Sequence, residues 1–288
     1  MNHETTPLHH LPRPAAASAP VERLREALRY ATRPPRGEQV DGRAMLTGLT
    51  ALSLLGFPGV PVPRALERAE VLVARGRRLP DTRAVAVRRA RVLPRARLVG
   101  GLPCAPVPRA VADAVAAVRG PAAVRSLLVE SVRTGDCEPD AVLRELDAAG
   151  LLERAEVADA VDALLAQARA VAQERLYAMV REFALPDPVW NVELALPGGP
   201  RLGGVDAYWP RQAVALELDA GPWGADDAVP CPPPAGSRQR LERLGVRVLR
   251  TTPAKLRAAP ARQASQVRDA LMTACGRPPR TYLVVLPR

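Results

Sequence analysis

Histidine is nearly missing from this chain. There are three, and they are His3, His9 and His10, at the extreme N-terminus. A Ser/His/Asp or Cys/His arrangement in a folded region is therefore excluded, because the base that activates the nucleophile has no candidate there. Cysteine is almost as scarce. Cys104, Cys137, Cys231 and Cys275 stand far apart with no CxxC or Cys/His spacing. That leaves no zinc pattern, and the four read as reduced thiols of a cytoplasmic protein. Aromatic residues make up 3% of the chain, so any core must be built from alanine, leucine and valine. No apolar run reaches the roughly 18 residues of a membrane span. The N-terminus lacks an apolar h-region, so no secretory leader is expected. Neither GxxxxGK[ST] nor GxGxxG occurs, which removes the usual signals for nucleotide hydrolysis and dinucleotide binding.

Arginine is plentiful. Of 41 basic residues, only Lys255 is a lysine. The net charge is +11 across 288 residues, a length that suits one large or two small domains. A GC-rich genome also enriches arginine, alanine and proline, but the charge here is uneven. Residues 51–100 hold 11 arginines against 3 acids, residues 101–200 hold 9 against 15, and residues 251–288 hold 7 basic residues against 1 acid. A basic, acidic, basic layout fits a phosphate-binding surface.

Three regions are expected. Residues 1–39 form a disordered tail, a short amphipathic helix at 21–30 and a Pro/Arg linker; the three histidines belong to this solvated tail. Residues 40–152 form an N-terminal α+β and helical domain. Within it, Asp41 is a candidate N-cap for a helix at 41–55, where Met45, Leu46, Leu49, Leu52 and Leu55 recur at helical spacing. Strands are expected at 69–75, 83–91 and 98–107. Eight arginines crowd this part: Arg75, Arg77, Arg78, Arg88, Arg89, Arg91, Arg95 and Arg97. They form either a solvated face or a phosphate-contacting one. Three helical segments follow at 107–152, separated by Gly120-Pro121 and by residues 134–139. Residues 153–288 form the third region, opening with one long helix or two at 153–183.

Residues 191–252 hold the chemistry. Val192, Leu194 and Leu196 alternate as in a half-buried strand. Pro197-Gly198-Gly199-Pro200 is a turn signal. A second strand at 202–208 carries Asp206. A third at 212–218 is nearly all apolar, as in a strand buried on both faces, and ends in Glu217-Leu218-Asp219. A Pro-rich stretch at 220–235 excludes regular helix and reads as an irregular, mobile loop. A helix at 237–244 carries Arg238, Arg240 and Arg243, and a strand at 246–251 carries Arg250. Pro253 opens a helix running to Ala274, and a last edge strand is expected at 282–286. Trp190 and Trp209 read as core or rim aromatics of this sheet. Glu217 and Asp219, two apart, share a strand face. Acids converging from adjacent strands repel unless a cation lies between them. Oxygen ligands suit magnesium or manganese, and such an ion supports phosphodiester hydrolysis.

At these residues the chain resembles the PD-(D/E)xK nuclease superfamily, in the branch related to very-short-patch-repair endonucleases. The likeness spans roughly 170–275. It rests on Glu174, Val205-Asp206 with Trp209-Pro210, Leu216-Glu217 with Asp219, Arg240, and Leu241 through Gly245 to Val248 and Arg250. Residues 40–150 are similar, more weakly, to AbiEi-type abortive-infection antitoxins, an arrangement found in actinobacterial proteins. The resemblance implies an α/β fold: a restriction-endonuclease-like mixed sheet flanked by helices behind a smaller N-terminal domain. It implies Asp206 and Glu217 as ligands of magnesium or manganese. Asp219 stands where the superfamily pattern has lysine, and would assist or replace it. Glu174 would orient water, and Arg238, Arg240, Arg243 and Arg250 would contact nucleic acid. The implied partner is DNA, met through its phosphates; a toxin-like protein or a second copy is the other candidate. Two further readings stay open: a non-catalytic, antitoxin-like transcriptional regulator that binds DNA, and an interaction protein with no nucleic-acid partner.

Overall fold

Two five-stranded mixed sheets, each flanked by helices, organise the computed structural model, which describes residues 19–33, 43–133, 137–219, 236–274 and 282–288. The tail at 1–19, the linker, Asp41 and the Pro-rich loop at 220–235 fall wholly or largely outside the described residues. So do Trp223, Cys231, Cys275 and the histidines. Among the described residues no helix is long and apolar enough to cross a membrane. The chain divides into compact units at residues 1–106 and 107–288, not at the expected 152/153.

The first unit contains α1 (Ala19–Thr32), β1 (Ala44–Leu46), α2 (Gly48–Leu54), β2 (Ala69–Ala74), β3 (Val85–Ala90), β4 (Arg97–Val99) and β5 (Leu102–Cys104). The sheet order is β3-β2-β1-β5-β4. Strands β2 and β3 run parallel, as do β1 and β5, and the other pairs are antiparallel. Two expectations are corrected. The helix expected at 41–55 is a strand followed by a shorter helix: Met45 and Leu46, 3% and 0% exposed, lie in the middle strand. A short apolar run carries no signal that separates buried strand from buried helix. The single strand expected at 98–107 is a hairpin that turns at Gly100 and Gly101, with φ of 55° and 78°. Two successive positive φ values match the twist of a two-residue hairpin turn and favour glycine at both places.

A buried acid ties these elements together. Glu70 on β2 is 7% exposed. Its Oε2 accepts the Leu49 N–H at 2.7 Å and its Oε1 accepts from Arg88 at 3.2 Å. The N-cap of α2, Thr47, makes no side-chain cap bond, so a carboxylate from the neighbouring strand satisfies the first turn. Gly48 has φ of +55°, and a Cβ there would lie 2.2 Å from Glu70 Oε2.

The crowded arginines divide by role. Arg77 is 4% exposed and donates to the carbonyls of Ala31 and Arg33 at 2.8 and 2.7 Å, closing the end of α1. Arg89 donates to the carbonyls of Arg77 and Leu79, and Arg88 holds Glu70. Arg75, Arg78, Arg91, Arg95 and Arg97 are exposed at the surface.

The second unit opens with α3 (Val107–Ala117), α4 (Pro121–Arg133), α5 (Pro139–Ala148) and the single long α6 (Ala155–Glu182). Helix α4 packs along α6, and Arg154 before α6 donates to the carbonyls of Val115 and Val118 at 2.8 and 3.3 Å. That packing is why these helices join the second unit rather than the first. Strands β6 (Val189–Ala195), β7 (Arg201–Trp209), β8 (Val214–Leu218), β9 (Arg247–Thr251) and β10 (Val284–Pro287) form its sheet, in the order β10-β6-β7-β8-β9. Every pair is antiparallel except β8 and β9. Helix α7 (Gly236–Arg243) precedes β9, and α8 (Pro253–Ala258) and α9 (Pro260–Ala274) follow it. The helix expected to run unbroken to Ala274 is interrupted at Ala259, because Pro260 has no N–H and disfavours helical backbone before it.

Apolar side chains pack on both faces of this sheet. One core joins Leu176 and Met179 of α6 and Val267 of α9 to Ala207, Trp209 and Leu216. The other joins Leu241 of α7 to Val192, Leu194, Tyr208, Ala215 and Val248. Strand β8 feeds both, as its apolar text requires.

Gly48→Ala should cost roughly 2–4 kcal/mol, the sum of a left-handed penalty and a lost cap. Gly56, with φ of +70° and open space within 4 Å of where a Cβ would sit, carries the first term alone. Urea unfolding of the full chain should therefore show Gly48→Ala clearly less stable than Gly56→Ala; equal losses would remove Glu70 from the account.

Candidate functional site: an acid cluster closed by arginines

The cluster forms where β7 and β8 part. Their ladder pairs Trp209 with Val214, Tyr208 with Ala215 and Ala207 with Leu216. Just beyond the last of these pairs, the Leu218 N–H donates instead to the Asp206 side chain, Oδ2 at 2.7 Å. The carboxylate thus replaces a backbone carbonyl as the partner of that amide. Asp206 is 4% exposed, and its other oxygen accepts from Arg169 on α6. Both oxygens of this buried side chain are therefore engaged, as buried polar groups require.

Glu217 follows on β8, with its side chain 12% exposed. Its register partner on β9 is Arg250, and the ion pair between them is long, 4.0 Å from Arg250 Nε to Glu217 Oε2. Burial lifts the Glu217 carboxyl above its ordinary value of 4.5. Arg250 and Arg238 oppose the rise, and the negative charges of Asp206 and Asp219 add to it. Asp219 takes the stronger bond to Arg250, at 2.9 Å, and its N–H donates to the Thr251 carbonyl at 2.8 Å. The geometry therefore brings Asp206, Glu217, Asp219, Arg238 and Arg250 into one electrostatic group.

Glu174 does not join that group. It is exposed on α6 and lines a cavity with Tyr177, Asp187 and Trp190. The α6 residue that reaches Asp206 is Arg169, five positions earlier, for which the sequence raised no expectation. A signal existed: Arg169 is the one basic residue between Ala155 and Glu174, set among alanines. Arg238, Arg240 and Arg243 lie on α7 and are exposed; Arg238 pairs with Glu242 at 2.8 Å. With Arg247 and Arg250 they place five arginines against one glutamate in residues 236–252.

The donors suit a hard ion in kind, since all are carboxylate oxygens. The under-compensated Glu217 is the feature that admits one. Among the described residues, however, no group of three or more His, Cys, Asp or Glu side chains is arranged to hold a metal. An ion held by Asp206 and Glu217 would keep most of its ligands as water and phosphate oxygens, the habit of magnesium. Cys104 and Cys137 add nothing here: both are buried, and burial pushes the Cys104 thiol up to about 11. The chain matches no family model and no curated protein.

The raised Glu217 value has a definite sign. The folded state binds this proton more tightly than the unfolded chain, so the stabilisation is complete below 4.5 and is lost as pH rises through the folded value. Glu217→Gln should therefore gain thermal stability relative to the parent chain as the buffer moves from about pH 4 to about pH 8. A difference in melting temperature that stays flat, or shrinks, over that range would mean the carboxylate is fully compensated in the fold.

Proposed function

We propose that the second unit is a nuclease-like phosphodiester site acting on DNA, with Asp206 and Glu217 as its acid pair. The observation that carries this reading is the desolvated Glu217 carboxylate, set beside Asp206 with its counter-charge 4.0 Å away. A partly buried carboxylate so weakly compensated is a poor structural element and a good ligand. When bound, magnesium or manganese supplies charge that polarises a phosphate and acidifies a water. The chain's own groups do the rest. Arg243, Arg247 and Arg250, exposed on α7 and β9, hold backbone phosphates. Arg250 stands beside both Glu217 and Asp219, so it brings positive charge to the place where the superfamily pattern has lysine. Arg169 fixes the Asp206 carboxylate against α6.

A second reading has its own observation. Arg169 on Asp206 and Arg250 on Asp219 already neutralise two of the three acids. A chain that keeps those pairs on DNA would bind phosphates and cleave nothing, as an antitoxin-like regulator does.

Two measurements separate these readings. In plasmid nicking with manganese, Glu217→Gln should reduce the rate by roughly a hundredfold or more. In filter binding over a salt series, log affinity should fall linearly with log salt, and Arg243→Ala should lower that slope by about one. Binding with no nicking by the parent chain selects the regulator. Absence of binding at low salt removes both.

A further inference from the structure

The pocket that Glu174 lines lies on a later stretch of α6 than Arg169, and nothing in the acid cluster uses it. It is open to solvent, measures about 430 Å³ and is lined by Glu174, Tyr177, Val180, Arg181, Asp187 and Trp190. Its walls are pinned rather than loose. Asn191 sits in the left-handed region, with φ of 50°, a conformation that costs a side-chain-bearing residue energy and is tolerated best by asparagine and aspartate. Its side chain is held from both ends: Gln173 donates to Asn191 Oδ1 at 2.9 Å, and Asn191 Nδ2 donates to the Tyr177 hydroxyl oxygen at 2.7 Å.

The left-handed residue has a consequence for its neighbour. In a regular strand Trp190 and Val192 would share a face. Here Val192 belongs to the core under α7, and Trp190 packs against the core under α6. The turned Trp190 ring meets Tyr177 with centroids 4.4 Å apart and planes at 76°, so the two faces form a corner. The segment bearing Asp187 is fastened as well. The Trp209 indole donates to the Pro186 carbonyl at 2.6 Å, the Leu185 N–H to the Val180 carbonyl at 3.0 Å, and Arg268 to the Phe183 carbonyl at 2.8 Å. Strain held in place by such redundant bonds is a mark of preorganised sites.

The charge of the lining runs against that of the chain. The protein carries +11 overall, but this cavity presents two carboxylates, Glu174 and Asp187, and one guanidinium, Arg181. Among the described residues neither carboxylate is engaged in an ion pair. Perpendicular aromatic faces with nearby carboxylates attract cations, through the ring quadrupole and by direct Coulomb attraction. One net negative charge matches a singly charged ligand and disfavours a polyamine.

We infer that this cavity binds a compact alkylammonium group, seated in the Tyr177–Trp190 corner and neutralised by Glu174 and Asp187. The group arrives either as a free small molecule or on a methylated lysine side chain; both present the same chemistry.

The test is calorimetric titration of the full chain with choline and with its neutral carbon isostere, 3,3-dimethyl-1-butanol. Choline should bind saturably and the isostere should bind at least about tenfold more weakly. The paired change Glu174→Gln with Asp187→Asn, at two exposed positions, should leave the melting temperature unchanged and reduce choline affinity by about tenfold or more. Tyr177→Leu should also reduce choline affinity by about tenfold or more. A peptide carrying trimethyllysine, titrated in parallel, identifies the source: tighter binding than choline assigns a protein tail, weaker binding assigns a free ligand. Equal binding of choline and its isostere, unchanged affinity in the paired variant, or no saturable binding of either cation would each overturn the inference.

Discussion

The Asp206 carboxylate is the interaction on which the second unit depends. One oxygen takes the Leu218 N–H as β8 leaves β7, and the other takes Arg169 from α6. A single buried side chain thus sets where the two central strands part and ties the long helix to the opening. Were it apolar, the Leu218 amide and the Arg169 guanidinium would both lose a partner, and a buried amide without one costs about 1–3 kcal/mol. The position of Glu217 follows from the same event. Because Asp206 claims the amide next to Glu217 on its strand, Glu217 is left beside a like charge and a distant counter-ion.

The first unit repeats this chemistry for a different end. Glu70 also accepts one backbone N–H and one arginine, and it is also nearly buried, at 7% exposure. In both units a carboxylate does what a backbone carbonyl or a short capping side chain does elsewhere, and an arginine completes its compensation. The difference lies in the neighbours. Around Glu70 the compensated acid stands with Gly48, whose missing Cβ makes room for it, and the group serves a helix terminus. Around Asp206 a second and a third acid crowd in, and Glu217 is left with the longest of the local ion pairs, 4.0 Å to Arg250. Arginine abundance has the same two faces. Arg77 and Arg89 spend their donors on carbonyls inside the first unit, whereas Arg243, Arg247 and Arg250 face solvent on the second.

Much of the second sheet could be read from the amino-acid order. Alternation marked β6, a continuous apolar run marked β8, and glycine and proline marked the turns, because each of these signals is local and has a period of its own. The acids at Asp206, Glu217 and Asp219 were legible for the same reason: strand ends and a spacing of two fix their faces. Errors fell where a local signal had two solutions. Met45 and Leu46 satisfied both a helix and a strand, and the choice went to the strand because the sheet needed a middle member. Pro260 is a break signal in its own right, and the helix-forming text on both sides of it concealed that.

What the sequence alone determined, then, is the set of strands in the second sheet, their faces and the convergence of acids at one place in it. Tertiary structure decided the partners. Helical spacing cannot say which of Arg169, Gln173 or Glu174 meets the sheet, since a rotation of one residue moves a side chain by about 100°. Packing of Ala172, Leu176 and Met179 into the core fixed that rotation. It sent Arg169 to Asp206 and Gln173 to Asn191, and it turned Glu174 away from the acid cluster into a cavity of its own.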